Sequence, residues 1–160
     1  MKNVDIKSQL AACLLMGLCA LIAVAQSKPN FTGVWKLNLQ KSKFADNIPE
    51  GLSLTLEFNH KDNILTEAFS YSQGASEHSV EGKYAIDGKE SDVPNGDAVI
   101  KATAKWEGNA LVIDWRGPEA GRYFIRKLTL APDGKSMTIK LNRSRPDGGM
   151  AEETWVLEKQ

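Results

Sequence analysis

The sequence predicts an all-β protein, an antiparallel up-and-down β-barrel of about 8–10 strands, with a β-sandwich as the alternative. Three observations support this fold class. Turn-forming pairs recur along the chain, apolar and polar residues alternate between the turns, and no segment after the N-terminal region keeps a helical period. A meander of strands removes its exposed edges by curling closed, whereas a sandwich usually needs long crossing connections. Every connection after Gly51 is short, so the barrel is favoured.

The first 25 residues have the features of a secretory signal peptide, so the folded domain is expected to span residues 26–160. Two lysines precede an apolar run over residues 10–24, and small residues follow at the positions that signal peptidase reads. The run is shorter than the roughly 18 residues that span a bilayer, which favours cleavage before Gln26 over a retained membrane anchor. The sequence therefore predicts an exported protein, periplasmic or extracellular, with no integral membrane anchor after cleavage.

Loss of this segment changes the composition in ways that exclude several classes of site. Both cysteines, Cys13 and Cys19, lie within it, so the mature chain has no disulfide, thiol nucleophile or cysteine metal site. Removal of Lys2, Lys7 and Asp5 changes 20 basic and 20 acidic residues to 18 and 19. A net charge near −1 gives no reason to expect nucleic acid or an anionic membrane surface as a partner. The remaining length suits one domain.

The predicted strands are separated by turns rich in Gly, Asn and Asp, which accept the positive φ angles of tight hairpins. Such turns lie at residues 60–63, 73–74, 87–88, 95–96, 108–109, 117–121, 133–134 and 147–149. The one segment able to form a helical turn is 39–46, between the first predicted strand and Pro49. The turns thus divide the chain into about nine strands, each expected to follow its predecessor in the sheet.

Within these strands, alternate positions are apolar, which is typical of a sheet with one buried and one solvated face. The inward rows are Leu52, Leu54, Leu56 and Phe58; Val80, Tyr84 and Ile86; Ala98, Ile100, Ala102, Ala104 and Trp106; and Met137, Ile139 and Leu141. The small alanines of the third row favour an internal cavity, whereas the four tryptophans of the chain could fill it.

The first strand begins with FTGVWKL, in which Phe31, Gly33, Trp35 and Leu37 alternate with polar or smaller residues. A glycine at a strand start favours a bend or a close backbone approach, and an aromatic residue in phase with apolar neighbours belongs inside. This stretch resembles the start of the calycin proteins, which include the lipocalins and fatty-acid-binding proteins, and of exported bacterial lipocalin-like proteins. The resemblance implies a barrel closed at one end by Trp35, with Gly33 beside it and a basic side chain from a late strand over the Trp35 ring.

The resemblance also implies a small hydrophobic or amphipathic ligand inside the barrel. Fatty-acid-binding proteins close their barrel with a helical pair, for which residues 38–51 are too few. Lipocalins usually carry a C-terminal helix, whereas this chain is expected to end on a strand at residues 152–157.

Two arginines and two tyrosines are the candidate ligand-binding residues on the inward rows. Arg126 is in phase with Phe124 and Leu128, and Arg143 extends the row that ends at Leu141. A buried charge is costly without a partner, so two inward arginines could form a fork for a carboxylate or phosphate group. The resemblance supports this interpretation, because fatty-acid-binding proteins hold their ligand's carboxylate with inward arginines and a tyrosine.

Tyr84 and Tyr71 could supply the hydroxyl of such a site. The two arginines and Trp115 each have a structural alternative. Arg126, however, could pair with the in-phase Glu67, and Arg143 could reach solvent or cover Trp35. Trp115 precedes a turn and could line the barrel mouth and touch a ligand, or pack in the rim.

Catalytic signatures are scarce, so the sequence predicts no enzyme activity, no cofactor and no metal site. His60 is expected in a turn and His78 at a strand start, and the adjacent Glu152 and Glu153 face opposite sides of a strand. The resulting hypothesis is an exported, non-catalytic binding protein for a small hydrophobic or amphipathic ligand, which could be anionic and fatty-acid-like. The alternative is a protein-interaction module, such as an inhibitor or envelope-associated scaffold, with a filled barrel.

Overall fold

The computed structural model describes residues 27–117 and 121–160, so the predicted signal peptide lies outside the described residues. Ten strands form one antiparallel sheet. They are β1 (Gly33–Leu37), β2 (Ser53–Lys61), β3 (Ile64–Gln73), β4 (Ser76–Ala85), β5 (Glu90–Asn95), β6 (Ala98–Glu107), β7 (Ala110–Arg116), β8 (Tyr123–Leu130), β9 (Ser136–Ser144) and β10 (Met150–Lys159). The all-β prediction is confirmed. Among these described residues, no helix has the length and apolar character that crossing a membrane requires.

The sheet curls into a nearly closed barrel in which each strand lies beside its neighbours in sequence. Pairing of β1 with β10 joins the first and last strands, with Trp35 opposite Lys159. The edges of the sheet are β4 and β5, which lie close together without a hydrogen-bonded ladder between them. At the turn that joins them, the Ile86 N–H donates to the Asn63 carbonyl and the Gly88 N–H donates to the Ala104 carbonyl. The barrel therefore opens along its side at β4 and β5.

The segment that joins β1 to β2, residues 38–52, crosses one end of the barrel and is called the strap below. The expected helical turn at 39–46 is wrong beyond one tight turn at residues 39–41. Lys43 instead forms a two-way backbone bridge with Thr154 of β10, and the Ser42 hydroxyl accepts from the Val156 N–H. These hydrogen bonds hold the strap extended, because its backbone groups find partners on a neighbouring strand instead of within a helix.

The end of the barrel opposite the strap is filled by aromatic and aliphatic side chains. Trp35 is fully buried, and its indole N–H donates to the Phe31 carbonyl at 2.9 Å. The Lys159 ammonium lies 5.2 Å from the centre of the Trp35 ring, so the expected basic residue is Lys159 and not Arg143. Gly33 has φ +144°, and a Cβ there would stand 2.6 Å from Lys159 Cε. The glycine thus permits both the backbone bend and the lysine's approach.

The inward rows predicted from alternation form the core. All four rows are buried apart from their end residues Leu52, Val80, Ala98 and Trp106, which are partly buried. The three buried polar or charged residues among the described ones are Glu67, Arg126 and Glu153. All three point into the barrel, and they define the candidate site.

Candidate ligand-binding cavity

A cavity of about 940 Å³ occupies the strap end of the barrel and is open on one side. Its walls come from most of the strands and from the strap. The lining residues are Leu37, Phe44, Asp46, Asn47, Ile48, Pro49, Leu52, Leu54, Phe69, Tyr71, Gln73, His78, Ser79, Val80, Asn95, Ile100, Trp115, Arg122, Phe124, Arg143, Glu153 and Trp155. The volume lies in the range of small-molecule sites, about 300–1,000 Å³. The barrel is therefore filled at one end and hollow at the other.

Four aromatic side chains form a continuous surface in this cavity, called the aromatic wall below: Phe69, Trp115, Phe124 and Trp155. Trp115 and Phe124 have ring centres 5.7 Å apart, and Phe124 and Trp155 have centres 6.1 Å apart. Phe69 meets Phe124 edge-on at 6.4 Å. Rings at these separations support one another and give a stiff apolar surface, which a ligand can contact with little loss of side-chain entropy.

A buried ion pair lies against the aromatic wall. Arg126 on β8 and Glu67 on β3 form a two-pronged salt bridge, with Arg126 Nη2 2.8 Å from Glu67 Oε2 and Arg126 Nη1 in contact with Glu67 Oε1. Neither side chain is exposed to solvent. The Tyr84 hydroxyl donates to Glu67 Oε2 at 2.9 Å, and the Trp115 indole N–H donates to that hydroxyl at 3.0 Å. The network therefore connects the aromatic wall to strands on the far side of the barrel.

The electrostatics of this network keep Arg126 charged and Tyr84 neutral. Burial and the neighbouring Glu67 carboxylate both raise the pKa of the Tyr84 phenol far above its usual value. Burial alone would lower the pKa of Arg126, but Glu67 more than offsets this, so the pKa of Arg126 is raised. The guanidinium also lies over Trp115, 4.7 Å from its ring centre, which adds a cation–π contact. Arg126 Nε is the one donor of this network without a hydrogen-bond acceptor among the described residues.

A second charged cluster stands at the cavity mouth. Arg143 on β9 donates to Glu153 Oε1 of β10 from Nε at 3.1 Å and from Nη2 at 2.9 Å. Nη2 also donates to Asp46 of the strap at 3.0 Å, and Arg145 donates to the other Asp46 oxygen at 2.9 Å. The second oxygen of Glu153 accepts from the Trp155 indole at 2.7 Å. The cluster fastens the strap to β9 and β10 across the mouth.

The structure divides the five predicted ligand-binding residues into two groups. Tyr71, Trp115 and Arg143 line the cavity, whereas Arg126 and Tyr84 are fully buried behind its wall. Arg126 is paired with Glu67, which is the alternative that the sequence left open. Contact between a ligand and any of these five residues remains a prediction.

Several lining residues were not predicted, although some left a signal in the sequence. Phe69 continues the inward row of Leu65 and Glu67, so its inward direction could have been predicted. Glu153 is in phase with Trp155, and a carboxylate in an apolar inward row is a sign of a buried polar site. Ala98, Ala102 and Ala104 were expected to leave space, but none of them lines the cavity. The strap residues had no periodic pattern from which to predict their place.

The two histidines lie at opposite ends of the barrel. His78 stacks on Tyr71 at the cavity, with ring centres 4.9 Å apart. His60 lies within β2, not in a turn, and its ring contacts those of Phe31 and Trp106. In residues 27–117 and 121–160, no three or more His, Cys, Asp or Glu side chains are grouped to hold a metal ion.

The stability of the fold should fall in mild acid because of His60. Burial lowers the pKa of His60, although a hydrogen bond with the Asp62 backbone opposes the effect, and His60 Nδ1 accepts from the Phe31 N–H. The unfolded chain therefore binds a proton near its ordinary pKa of about 6.5 while the folded protein resists it. Stability present above that pKa is lost as the pH falls through it. Urea unfolding at about pH 7.5 and about pH 5.5 should show this loss, and His60→Gln should reduce it. An equal loss in the variant would contradict the assignment.

Comparison with known proteins identifies the fold. No family model matches the chain, and neither does any curated protein sequence. Among solved structures, zebrafish ileal bile acid-binding protein, complexed with cholic acid, is similar with a TM-score of 0.59 and 19% identity, over 81% of this chain and 98% of that one. Secretory abundant heat soluble protein 4 from Ramazzottius varieornatus has a TM-score of 0.59 and 15% identity, over 85% and 99%.

A Schistosoma mansoni fatty acid binding protein in complex with arachidonic acid is similar at a TM-score of 0.52 and 15% identity, over 81% of this chain and 96% of that one. The predicted calycin-like barrel is confirmed by these similarities. At such identities the comparison establishes the fold alone.

Proposed function

Since the chain folds as a calycin-like barrel, we propose that it binds a small hydrophobic or amphipathic ligand in the strap-end cavity and catalyses no reaction on it. The main support for this proposal is the cavity of about 940 Å³ whose walls include Phe69, Trp115, Phe124 and Trp155. A stiff apolar cavity of this size favours uptake of an apolar molecule, because the ligand and the wall both lose contact with water. Two similar structures hold ligands of this kind, cholic acid in the zebrafish bile acid-binding protein and arachidonic acid in the Schistosoma mansoni fatty acid binding protein, which supports the proposal.

The proposal includes export. The N-terminal sequence supports a periplasmic or extracellular location after signal cleavage, where the protein would hold or carry its ligand outside the cytoplasm.

Blocking the cavity should abolish binding of an apolar probe. N-phenyl-1-naphthylamine is uncharged and becomes fluorescent in apolar surroundings, so its titration measures uptake directly. Val80 is partly buried on β4 and lines the cavity, and a Trp there occupies its volume. We expect Val80→Trp to weaken probe binding at least about tenfold, which corresponds to about 1.4 kcal/mol.

The matched control is Val99→Trp, the same change at a β6 valine that is 48% exposed and outside the cavity. This variant should bind the probe like the unaltered protein. Equal affinity in all three proteins would mean that the probe binds outside the strap-end cavity. No binding to the unaltered protein would favour a protein-interaction module instead.

A further inference from the structure

The formal charges that line the cavity balance. Among the described lining residues, two are basic, Arg122 and Arg143, and two are acidic, Asp46 and Glu153, and the other titratable side chains there are His78 and Tyr71. A ligand that brings a full charge into this cavity therefore meets no excess of opposite charge. It would leave its hydration shell without an equivalent replacement, which is costly.

Arg143, the lining arginine predicted for an anion fork, is already engaged by protein carboxylates. Its Nε and Nη2 groups both donate to Glu153 Oε1, and Nη2 donates again to Asp46. A ligand carboxylate could bind Nε and Nη2 only by displacing Glu153, whose own second oxygen accepts from the Trp155 indole. Displacement would separate Glu153 from its arginine in a nearly buried position, since the Glu153 side chain is only 5% exposed.

Arg126 has one donor without a described partner, Nε, but no part of its side chain is exposed to a carboxylate in the cavity. Both of its terminal nitrogens bind Glu67, so the pair is neutral as a unit. The guanidinium centre is 4.7 Å from the Trp115 ring centre, 5.5 Å from that of Phe124 and 5.9 Å from that of Phe69. These are lining residues, whereas the arginine itself has no exposed surface. The rings thus stand between a neutralised cation and the ligand space.

We propose that the cavity selects ligands whose polar group is uncharged, such as long-chain alcohols, over the corresponding carboxylates. This inference rests on the proposed binding function and deepens it. Glu67 and Glu153 are the residues that set the preference, because each neutralises an inward arginine. An uncharged hydroxyl can still exchange hydrogen bonds with polar groups at the mouth, and its transfer from water costs less than that of a carboxylate.

The test compares two probes that differ in the polar group alone, dodecanol and dodecanoate. Each is used to displace N-phenyl-1-naphthylamine from the unaltered protein at about pH 8, where free dodecanoate is ionised. We expect dodecanol to displace the probe at a concentration at least about tenfold lower. Equal or stronger displacement by dodecanoate would overturn the inference while leaving the binding function intact. No binding of the probe and no displacement would instead remove the binding function itself.

Glu67→Gln tests the cause of the preference. Glutamine keeps the shape and one acceptor oxygen but removes the charge, so Arg126 becomes an uncompensated cation behind the wall. In the folded variant the ratio of dodecanoate to dodecanol affinity should rise about tenfold. An unchanged ratio in a folded Glu67→Gln protein would show that Glu67 does not exclude carboxylates. Should the variant fail to fold, the comparison on the unaltered protein decides alone.

Discussion

Glu67→Leu alone should lower the free energy of unfolding by about 3–5 kcal/mol, the usual result of leaving a buried charge without its partner. Arg126 is completely buried, and its guanidinium donates both hydrogen bonds of the salt bridge to this one carboxylate. The Tyr84 hydroxyl would also lose its acceptor. Urea unfolding followed by tryptophan fluorescence measures the change.

The double variant Glu67→Leu with Arg126→Met shows how much of this loss in stability comes from leaving Arg126 unpaired and how much from losing the ion pair itself. Replacement of a whole buried ion pair by apolar side chains of similar volume is often nearly neutral. The double variant should therefore recover most of the stability lost in Glu67→Leu, apart from about 1–3 kcal/mol for the unsatisfied Tyr84 hydroxyl. If the double variant lost as much stability as the sum of the losses in Glu67→Leu and Arg126→Met alone, Glu67 and Arg126 would not be coupled.

The second large effect is expected at the filled end of the barrel. Trp35→Ala should lower the free energy of unfolding by about 3–5 kcal/mol. A fully buried ring is removed, and the surrounding side chains fill the space that it leaves only in part. Trp35→Phe keeps most of the apolar volume and loses the hydrogen bond to the Phe31 carbonyl, so it should cost clearly less. Urea unfolding of both variants provides the comparison. A loss below about 1 kcal/mol for Trp35→Ala would contradict the role of Trp35 in closing the barrel.

The sequence predicted the barrel well because its pattern is local. Period-two rows such as Met137, Ile139 and Leu141 show which side chains face inward, and the short turns constrain the order of strands. The opening between β4 and β5 was not predicted, since the turn Asp87-Gly88 suggests an ordinary hairpin. Pro94 in β5 carries a hint, because a proline cannot donate to a ladder and suits an edge strand.

The candidate site was harder to predict because its contacts cross the barrel. Arg126 and Glu67 are 59 residues apart on strands that are not neighbours in the sheet, so alternation shows that both face inward but not that they meet. The strap shows the same limit. Its extended path depends on hydrogen bonds with β10, more than 100 residues later, and not on any preference of residues 38–52 themselves.

Native mass spectrometry of the protein purified from a lipid-containing host shows whether the hollow end of the barrel holds a small apolar molecule. We expect a discrete added mass that is lost on denaturation, belongs to an uncharged apolar compound on extraction, and is absent from Val80→Trp. A bare polypeptide mass that stays bare after incubation with mixed fatty alcohols, fatty acids and isoprenoids would contradict this expectation.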